Sequence, residues 1–195
     1  MTELIQQPVR ERADAARNRS RILAVAAELF REHGVENVSL DAIAARAGVG
    51  KGTLFRRFGS KSGLAVALLD AEESEFQSRM LFGPPPLGPG SDASARITAF
   101  FDTYLDLLDT NLELVRLSET TAPGVRYQIG SYCLWQRHLS VLLTEARPEL
   151  DAQSTSHLLL AMVDADLQQA LRGGEFTPGR IRGALREMVR RVLEA

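Results

Sequence analysis

Ser39-Leu40-Asp41-Ala42-Ile43-Ala44-Ala45-Arg46-Ala47-Gly48-Val49-Gly50-Lys51-Gly52-Thr53-Leu54-Phe55-Arg56-Arg57-Phe58 is the stretch whose reading decides the fold. Ser39 is a good N-cap before Leu40, Ile43, Ala44 and Ala47, which recur at helical spacing. Gly48 breaks that helix and supplies the positive φ a tight turn needs. A second short helix then runs from Val49 to Phe58. Two short helices across a glycine turn make a helix-turn-helix. Ile43, Ala44, Val49, Leu54 and Phe58 are its apolar side, and they hold the pair against a preceding helix. Gly50, Lys51, Gly52, Thr53, Phe55, Arg56 and Arg57 remain on the second helix. That face is small, basic or hydrogen-bonding, which suits close approach to phosphates. A solvated face on an ordinary helical hairpin is the bland alternative.

Upstream, Ile22, Ala26, Leu29 and Phe30 form one helical stripe that Gly34 stops. Residues 1–13 have little apolar periodicity and read as a mobile arm. Downstream, Ser60 can cap a longer helix through Leu64, Ala67, Leu68 and Ala71. Gly83-Pro84-Pro85-Pro86-Leu87-Gly88-Pro89-Gly90 is a loop, since proline lacks the donor and glycine is too permissive for a helix. Ser91 or Asp92 starts the next helix, with Ile97, Phe100, Phe101, Tyr104, Leu105 and Leu108 on one side. A short helical segment over Leu112–Leu117 ends before Pro123-Gly124. Tyr127–Ala146 is predicted as a helix ended by Pro148, and Ser154–Leu171 as a strongly apolar one. Thr177-Pro178 opens the last, on Ile181, Leu185, Met188, Val189 and Val192. No segment alternates with period two. The expectation is an all-α chain of about nine helices, with a head over 1–61 and a helical body over 62–195.

The run Arg21-Ile22-Leu23, Ala26-Ala27, Leu29-Phe30, Gly34-Val35, Val38-Ser39-Leu40, Ile43-Ala44 and Ala47-Gly48-Val49 continues into Gly52-Thr53-Leu54-Phe55, Phe58, Ser60-Lys61 and Leu64. It closely resembles the N-terminal domain of the TetR/AcrR family of bacterial transcriptional regulators. The resemblance spans about 45 residues of the sequence. It implies a three-helix DNA-binding head, a helical ligand-binding body and dimerisation through the last two helices. Carried over position by position, it gives Ser39 a capping hydroxyl near phosphate and Lys51 a base-edge or phosphate contact. Gly52 and Thr53 stand where the recognition helix meets the backbone, and Lys61 matches a phosphate-contacting lysine. Phe55 stands where tyrosine is usual, which leaves contact with a thymine methyl. Arg57 stands where histidine is usual and adds charge beside Arg56. Asp41 can accept from cytosine and disfavours phosphate. Arg10, Arg12, Arg17 and Arg19 belong either to an arm along the DNA backbone or minor groove, or to a solvated arm.

Charge is divided unevenly. Residues 1–61 hold 11 Lys/Arg against 7 Asp/Glu, and residues 62–195 hold 12 against 18. A basic head on an acidic body is the asymmetry expected if only the head meets a polyanion. With 45% hydrophobic and 25% charged residues, the chain has enough apolar surface for a core, so wholesale disorder is excluded. No apolar run reaches the length of a membrane span, and the polar start reads as no secretory signal, so the expected setting is the cytoplasm.

Other chemistry finds little support. Ala45 occupies the first glycine position of a phosphate-loop pattern, Gly52 follows the lysine, and no strand precedes it. His33, His138 and His157 lack metal-ligand spacing, and the single Cys133 has no partner, so no metal or cofactor is expected. No nucleophile motif frames any Ser, His or Asp, so the chain reads as a non-enzyme.

In the body, Phe100, Tyr104, Tyr132, Trp135 and His138 are candidates to line a small-molecule pocket, though core packing predicts the same residues. Asp164 and Asp166 interrupt the Ser154–Leu171 run as paired groups, as interface rim or as anchors for a cationic ligand. An all-round apolar helix must be buried on several sides. Leu160, Val163, Leu167 and Leu171, with Leu185, Met188 and Val192, are therefore candidates for a homodimer interface. The five arginines Arg180, Arg182, Arg186, Arg190 and Arg191 read as a solvated face. The functional expectation is a dimeric regulator of a double-stranded operator, released by a small molecule. A ligand-independent regulator and a helical binder or enzyme with a vestigial head are the alternatives.

Overall fold

The computed structural model describes residues 6–119, 125–128 and 130–194. It divides into two units, Met1–Leu68 and Leu69–Ala195. The division falls between Leu68 and Leu69, beyond the expected 61/62 boundary.

The head begins with α1 (Gln6–His33), which starts well before the stripe that predicted it. Residues 6–13 are thus helical rather than a loose arm. Pro8 falls in the first turn, where a missing N–H leaves no bond unmade. The side chains of Arg10 and Arg12 lie outside the described residues. Ile22 and Ala26 are fully buried, with Leu29 and Phe30 beside them. Gly34, at φ +78°, stops the helix, and its N–H donates to the Phe30 carbonyl at 2.9 Å.

Next come α2 (Leu40–Arg46) and α3 (Lys51–Phe58). The Ser39 hydroxyl accepts from the Ala42 N–H at 3.1 Å, which satisfies one free donor of the α2 N-terminus. Gly48 sits at φ +63°, as its place in the turn predicts. Its N–H bonds the Ala45 carbonyl at 3.2 Å, and that of Val49 bonds Ala44 at 3.0 Å. The α3 helix starts at Lys51, two residues later than expected, with Gly50 as its N-cap. Ile43, Ala44 and Leu54 are buried with Ile22. Each large aliphatic side chain so placed contributes about 1.5–3 kcal/mol.

The helix α4 (Lys61–Phe82) opens on Ser60, whose hydroxyl accepts from the Gly63 N–H at 3.0 Å. Its residues from Leu69 onward belong to the body. The Pro/Gly loop follows, and Asp92 caps α5 (Ala93–Glu119), accepting from the Ala95 N–H at 2.8 Å. Asn111, at φ −128°, kinks α5, so the predicted Leu112–Leu117 segment is the continuation of this helix past the kink. The predicted stop at Pro123-Gly124 lies outside the described residues. A 3-10 turn over Val125–Gln128 precedes α6 (Gly130–Ala146), so the helix expected from Tyr127 starts later.

The apolar Ser154–Leu171 run is not one helix. It forms α7 (Ala152–Ala161) and α8 (Ala165–Arg172). Asp164 breaks it by accepting from the Leu167 N–H at 3.0 Å, a cap worth more than continued helix at an acid. All-round burial therefore fails: Leu159, Leu160 and Val163 are buried, whereas Leu158 is 71% exposed. The last helix, α9 (Pro178–Glu194), is capped by Thr177, which accepts from the Arg180 N–H at 3.3 Å.

The body core gathers around α5. Ile97, Phe100, Phe101, Tyr104, Leu105 and Leu108 pack with α6 through Trp135, Leu139, Leu142 and Leu143, and with α9 through Leu185 and Val189. The α9 arginines do more than face solvent. Arg182 reaches Asp106 at 2.8 Å and Asp109 at 2.9 Å, and Arg186 reaches Asp102 at 2.7 Å, so α9 is tied to α5 by charge. Arg190 and Arg191 pair with Glu187 on their own helix. Among the described residues there is no strand, and no helix long and apolar enough to cross a membrane.

Candidate nucleic-acid interface

In the head, packing leaves one side of α3 free. Leu54 points inward at 1% exposure, while Lys51, Gly52, Phe55, Arg56 and Arg57 are exposed and Thr53 is half-buried. Phe55 is 61% exposed, a large ring left in water beside two arginines. A Cβ at Gly52 would meet nothing within 4 Å, so no contact inside the head requires glycine there. Gly50 gives α3 no side-chain cap, which leaves amide donors at its positive end open to an anion. Ser39, exposed, stands at the start of α2.

Three basic residues are held by the head itself. The Lys51 ammonium lies 2.9 Å from the Asp41 carboxylate, an exposed pair joining α3 to α2. Arg57 donates to the Ala15 carbonyl of α1. Lys61 donates to the Glu36 carbonyl at 3.2 Å. Ser39, Lys51, Gly52, Thr53, Phe55 and Arg56 thus stay on the α2–α3 side, while Arg57 and Lys61 are drawn toward backbone carbonyls. Arg17 pairs with Asp14, and Arg19 is exposed.

In the body, the residues expected to line a pocket are core residues. Phe100 and Tyr104 are fully buried, and Tyr132 and Trp135 nearly so. Tyr104 packs edge-on to Trp135 at 4.9 Å between centroids, and Phe76 lies 5.3 Å from Phe100. Tyr132 shares a hydrogen bond of 2.7 Å with His157 Nδ1. Burial and the charge of Arg96 push the His138 imidazole down to about 4. Asp164 is both a cap and an ion-pair partner: Arg126 lies 2.7 Å from Glu119 and 3.2 Å from Asp164, and donates to the Leu160 carbonyl at 3.2 Å. Arg126 is only 6% exposed. One guanidinium cannot fully compensate two carboxylates in so dry a place, and burial lifts the Glu119 carboxyl to about 7. Asp166 pairs with Arg116 at 2.7 Å. Arg126, Glu119 and Phe76 were not singled out from sequence, because nothing local marks a residue whose partner is a helix away.

The candidate interface residues separate into two sets. Leu160, Val163 and Leu185 are buried within the chain. Leu167 is 43% and Met188 55% exposed, and with Leu171 they line an apolar cleft of about 400 Å³ between α8 and α9. Val192 packs partly buried against the core.

Residues 22–68 match the family model described as bacterial regulatory proteins, tetR family. An HTH-type transcriptional regulator of Staphylococcus aureus (strain bovine RF122 / ET3-1) is 45% identical over 65 residues, covering 33% of this chain and 35% of the relative. The chain thus spans about a third of the length of the curated relatives it matches. Solved structures extend the likeness of fold to the body. A putative transcriptional regulator from Saccharomonospora viridis, in complex with choline, superposes with a TM-score of 0.66 at 22% identity over 90% of this chain and 96% of that one. Thermus thermophilus FadR, a TetR-family repressor in complex with lauroyl-CoA, gives 0.62 at 20% identity over 90% and 92%. A TetR/AcrR regulator from Thermobifida fusca gives 0.63 at 23% over 88% and 95%. Residues 22–68 thus carry the N-terminal domain that defines the tetR family of bacterial regulatory proteins, and the chain shares its helical fold with regulators of that family along nine-tenths of its length.

Proposed function

We propose that the chain is a sequence-specific DNA-binding transcriptional regulator, acting as a homodimer on a palindromic operator and released from it by a small molecule. The observation that carries the reading is the free side of α3. A helix capped and turned by Ser39 and Gly48 leaves Lys51, Gly52, Phe55 and Arg56 exposed on a scaffold fixed by Ile22, Ile43 and Leu54. Such a helix enters the major groove while α2 crosses the backbone. Gly52 brings the helix close to the duplex, and Lys51 and Arg56 supply contacts to phosphate or guanine. Ser39, Thr53, Arg57 and Lys61 complete the surface, the last two by exchanging a carbonyl partner for phosphate.

The second copy is placed on α8 and α9, where Leu167, Leu171 and Met188 line an open apolar cleft. A two-fold axis there makes the interface self-complementary and sets two heads on successive major grooves. The body is the ligand-responsive part. Two fold neighbours are complexed with choline and with lauroyl-CoA, which supports this reading. The ligand acts by binding the operator-free state of the dimer more tightly than the operator-bound one. Repression follows where the operator overlaps a promoter.

The test is selection of duplexes from a random pool by the purified full chain at near-physiological salt. Enrichment of a palindrome is expected. A folded, dimeric protein that enriches no sequence would overturn the reading in favour of a binder with a vestigial head.

A further inference from the structure

The aromatic cluster of the body contains buried polar atoms left unpaired among the described residues. The Tyr104 hydroxyl and the Trp135 indole N–H are buried with no hydrogen-bond partner among the described residues, and so is His138 Nε2. Tyr104 is 0% and Trp135 4% exposed. Buried polar groups are rarely left so, because each forfeits water without compensation. The Tyr104 hydroxyl, whose ionisation burial opposes first, also lies within electrostatic reach of Arg126, Glu119, Glu73 and Asp164. The Glu73 carboxyl is itself pushed up, by burial and then by Asp70, although Ser131 bonds it.

A second observation lies on the surface of the same unit. A cleft of about 290 Å³ opens between α4 and α5, lined by Glu72, Glu75, Arg79 and Asp106, with Thr103 and Phe76. Asp106 also shares Arg182, and Asn111 donates to Glu72, so these two acids are held in place. Phe76 belongs to both places. It lines the cleft, is 4% exposed, and its ring lies 6.3 Å from Tyr104 and 6.0 Å from Trp135. One ring therefore stands between an acidic cleft and a packed aromatic cluster whose buried polar atoms lack partners among the described residues.

We propose that the α4–α5 cleft admits an organic cation bearing an aryl or alkyl body and an oxygen acceptor, which displaces Phe76 and lodges among Tyr104, Trp135, Glu73 and Glu119. The acids at the mouth concentrate cations ahead of entry. Faces of Tyr104 and Trp135 attract the charge, and the carboxylates inside neutralise it. The oxygen acceptor satisfies the Trp135 N–H, while Tyr104 either donates to that oxygen or accepts from an ammonium N–H. Burial holds the Glu73 and Glu119 carboxyls up, so an entering cation would favour their ionised forms, whereas an anion would oppose them. This inference rests on the proposed ligand-responsive body and names its ligand class.

The test uses three probes that share one frame, 3-phenoxypropylamine, 3-phenoxypropanol and 3-phenoxypropionate, titrated calorimetrically into the full chain. The amine should bind about tenfold more tightly than the alcohol, and the propionate more weakly than both. Glu73→Gln and Glu119→Gln should erase that preference. Glu75→Gln, exposed at the mouth and unable to disturb the core, should slow association of the amine without changing that of the alcohol. The amine should also displace a selected operator. Equal affinity for the three probes, or preference for the propionate, would overturn the cation site while leaving a ligand-responsive body intact. Saturable binding by none of them overturns the site as well. Failure of the regulator reading shows separately, as absence of any selected operator.

Discussion

Lys51 and Asp41 form an ion pair at 2.9 Å across the Gly48 turn, linking the first residue of α3 to the first turn of α2. Both side chains are more than half exposed, so the pair adds little to stability. On the proposed reading its effect falls on what α3 would present to DNA, because the Asp41 carboxylate holds the Lys51 ammonium. Asp41→Asn should leave the melting temperature of the head nearly unchanged and raise affinity for any duplex by about fivefold at low salt. Lys51→Ala should change the selected sequence if the ammonium reads a base. Lys61→Ala, by contrast, should weaken all duplexes alike and lower the salt slope by about 1. Salt-dependent binding measured on the selected operator and on a scrambled duplex separates these cases. Unchanged binding in all three variants would remove this surface from contention.

Two glycines of the head separate folding from recognition. Gly48 lies at φ +63°, where a Cβ is strained whatever the space around it. Gly48→Ala should destabilise the head by about 1–2 kcal/mol. Gly52 lies inside α3 with nothing within 4 Å of a built Cβ. Gly52→Ala should therefore stabilise the helix by about 0.5–1 kcal/mol, yet weaken operator binding because the methyl stands between backbone and duplex. Thermal melts and operator titrations on the two variants should move in opposite senses. A Gly52→Ala protein that binds its operator normally would show that α3 does not approach DNA at this position.

The turn and the caps of Ser39, Ser60, Asp92 and Thr177 were legible in the sequence because each is a local bond, three residues from donor to acceptor. The break at Asp164 was not. An apolar run reads as one helix until an acid finds a free N–H, and whether capping prevails depends on packing elsewhere. The charged links were equally hidden: Arg182 and Asp106 lie on α9 and α5, and no spacing rule joins them. Phe100, Tyr104, Tyr132 and Trp135 were named as pocket residues and lie in the core. Aromatic residues at helical spacing pattern alike for both roles. Only the unpartnered Tyr104 hydroxyl and Trp135 N–H distinguish them here, and those depend on neighbours from other helices.

Two buried groups give the body opposing pH dependences. Glu119 is raised to about 7 by burial, then by Asp164, against the pull of Arg126. Between its unfolded value near 4.5 and 7 the folded state holds a proton the unfolded state has lost, so stability falls as pH rises, by at most about 1.4 kcal/mol per unit. His138 is lowered to about 4 by burial and Arg96, so the unfolded state binds the extra proton below about 6.5 and stability falls as pH drops. Between about pH 4.5 and 6.5 the two nearly cancel. Glu119→Gln should unmask the histidine, giving stability that rises with pH over that window. His138→Gln should unmask the acid, giving the opposite slope. Denaturant titrations at pH 4.5, 5.5 and 6.5 read the slopes directly, and parallel curves for both variants would show that neither group titrates as described.

The α8–α9 cleft makes a final prediction about assembly. Leu167 and Met188 are exposed on its walls while Leu160, Val163 and Leu185 already serve the core. Charge at the first pair therefore interrupts association without opening a cavity. Leu167→Glu and Met188→Glu should each stay folded by circular dichroism and sediment as monomers at micromolar concentration, where the parent chain should sediment as a dimer. Each should also lose operator affinity by about 100-fold, since two half-sites are then no longer joined in one binding event. Leu160→Ala, in the core and off the cleft wall, should behave differently, losing about 2–5 kcal/mol of stability through a core cavity while keeping the dimer. If both glutamate variants remain dimeric, the two-fold axis lies elsewhere on the body, and the cleft is free for another occupant.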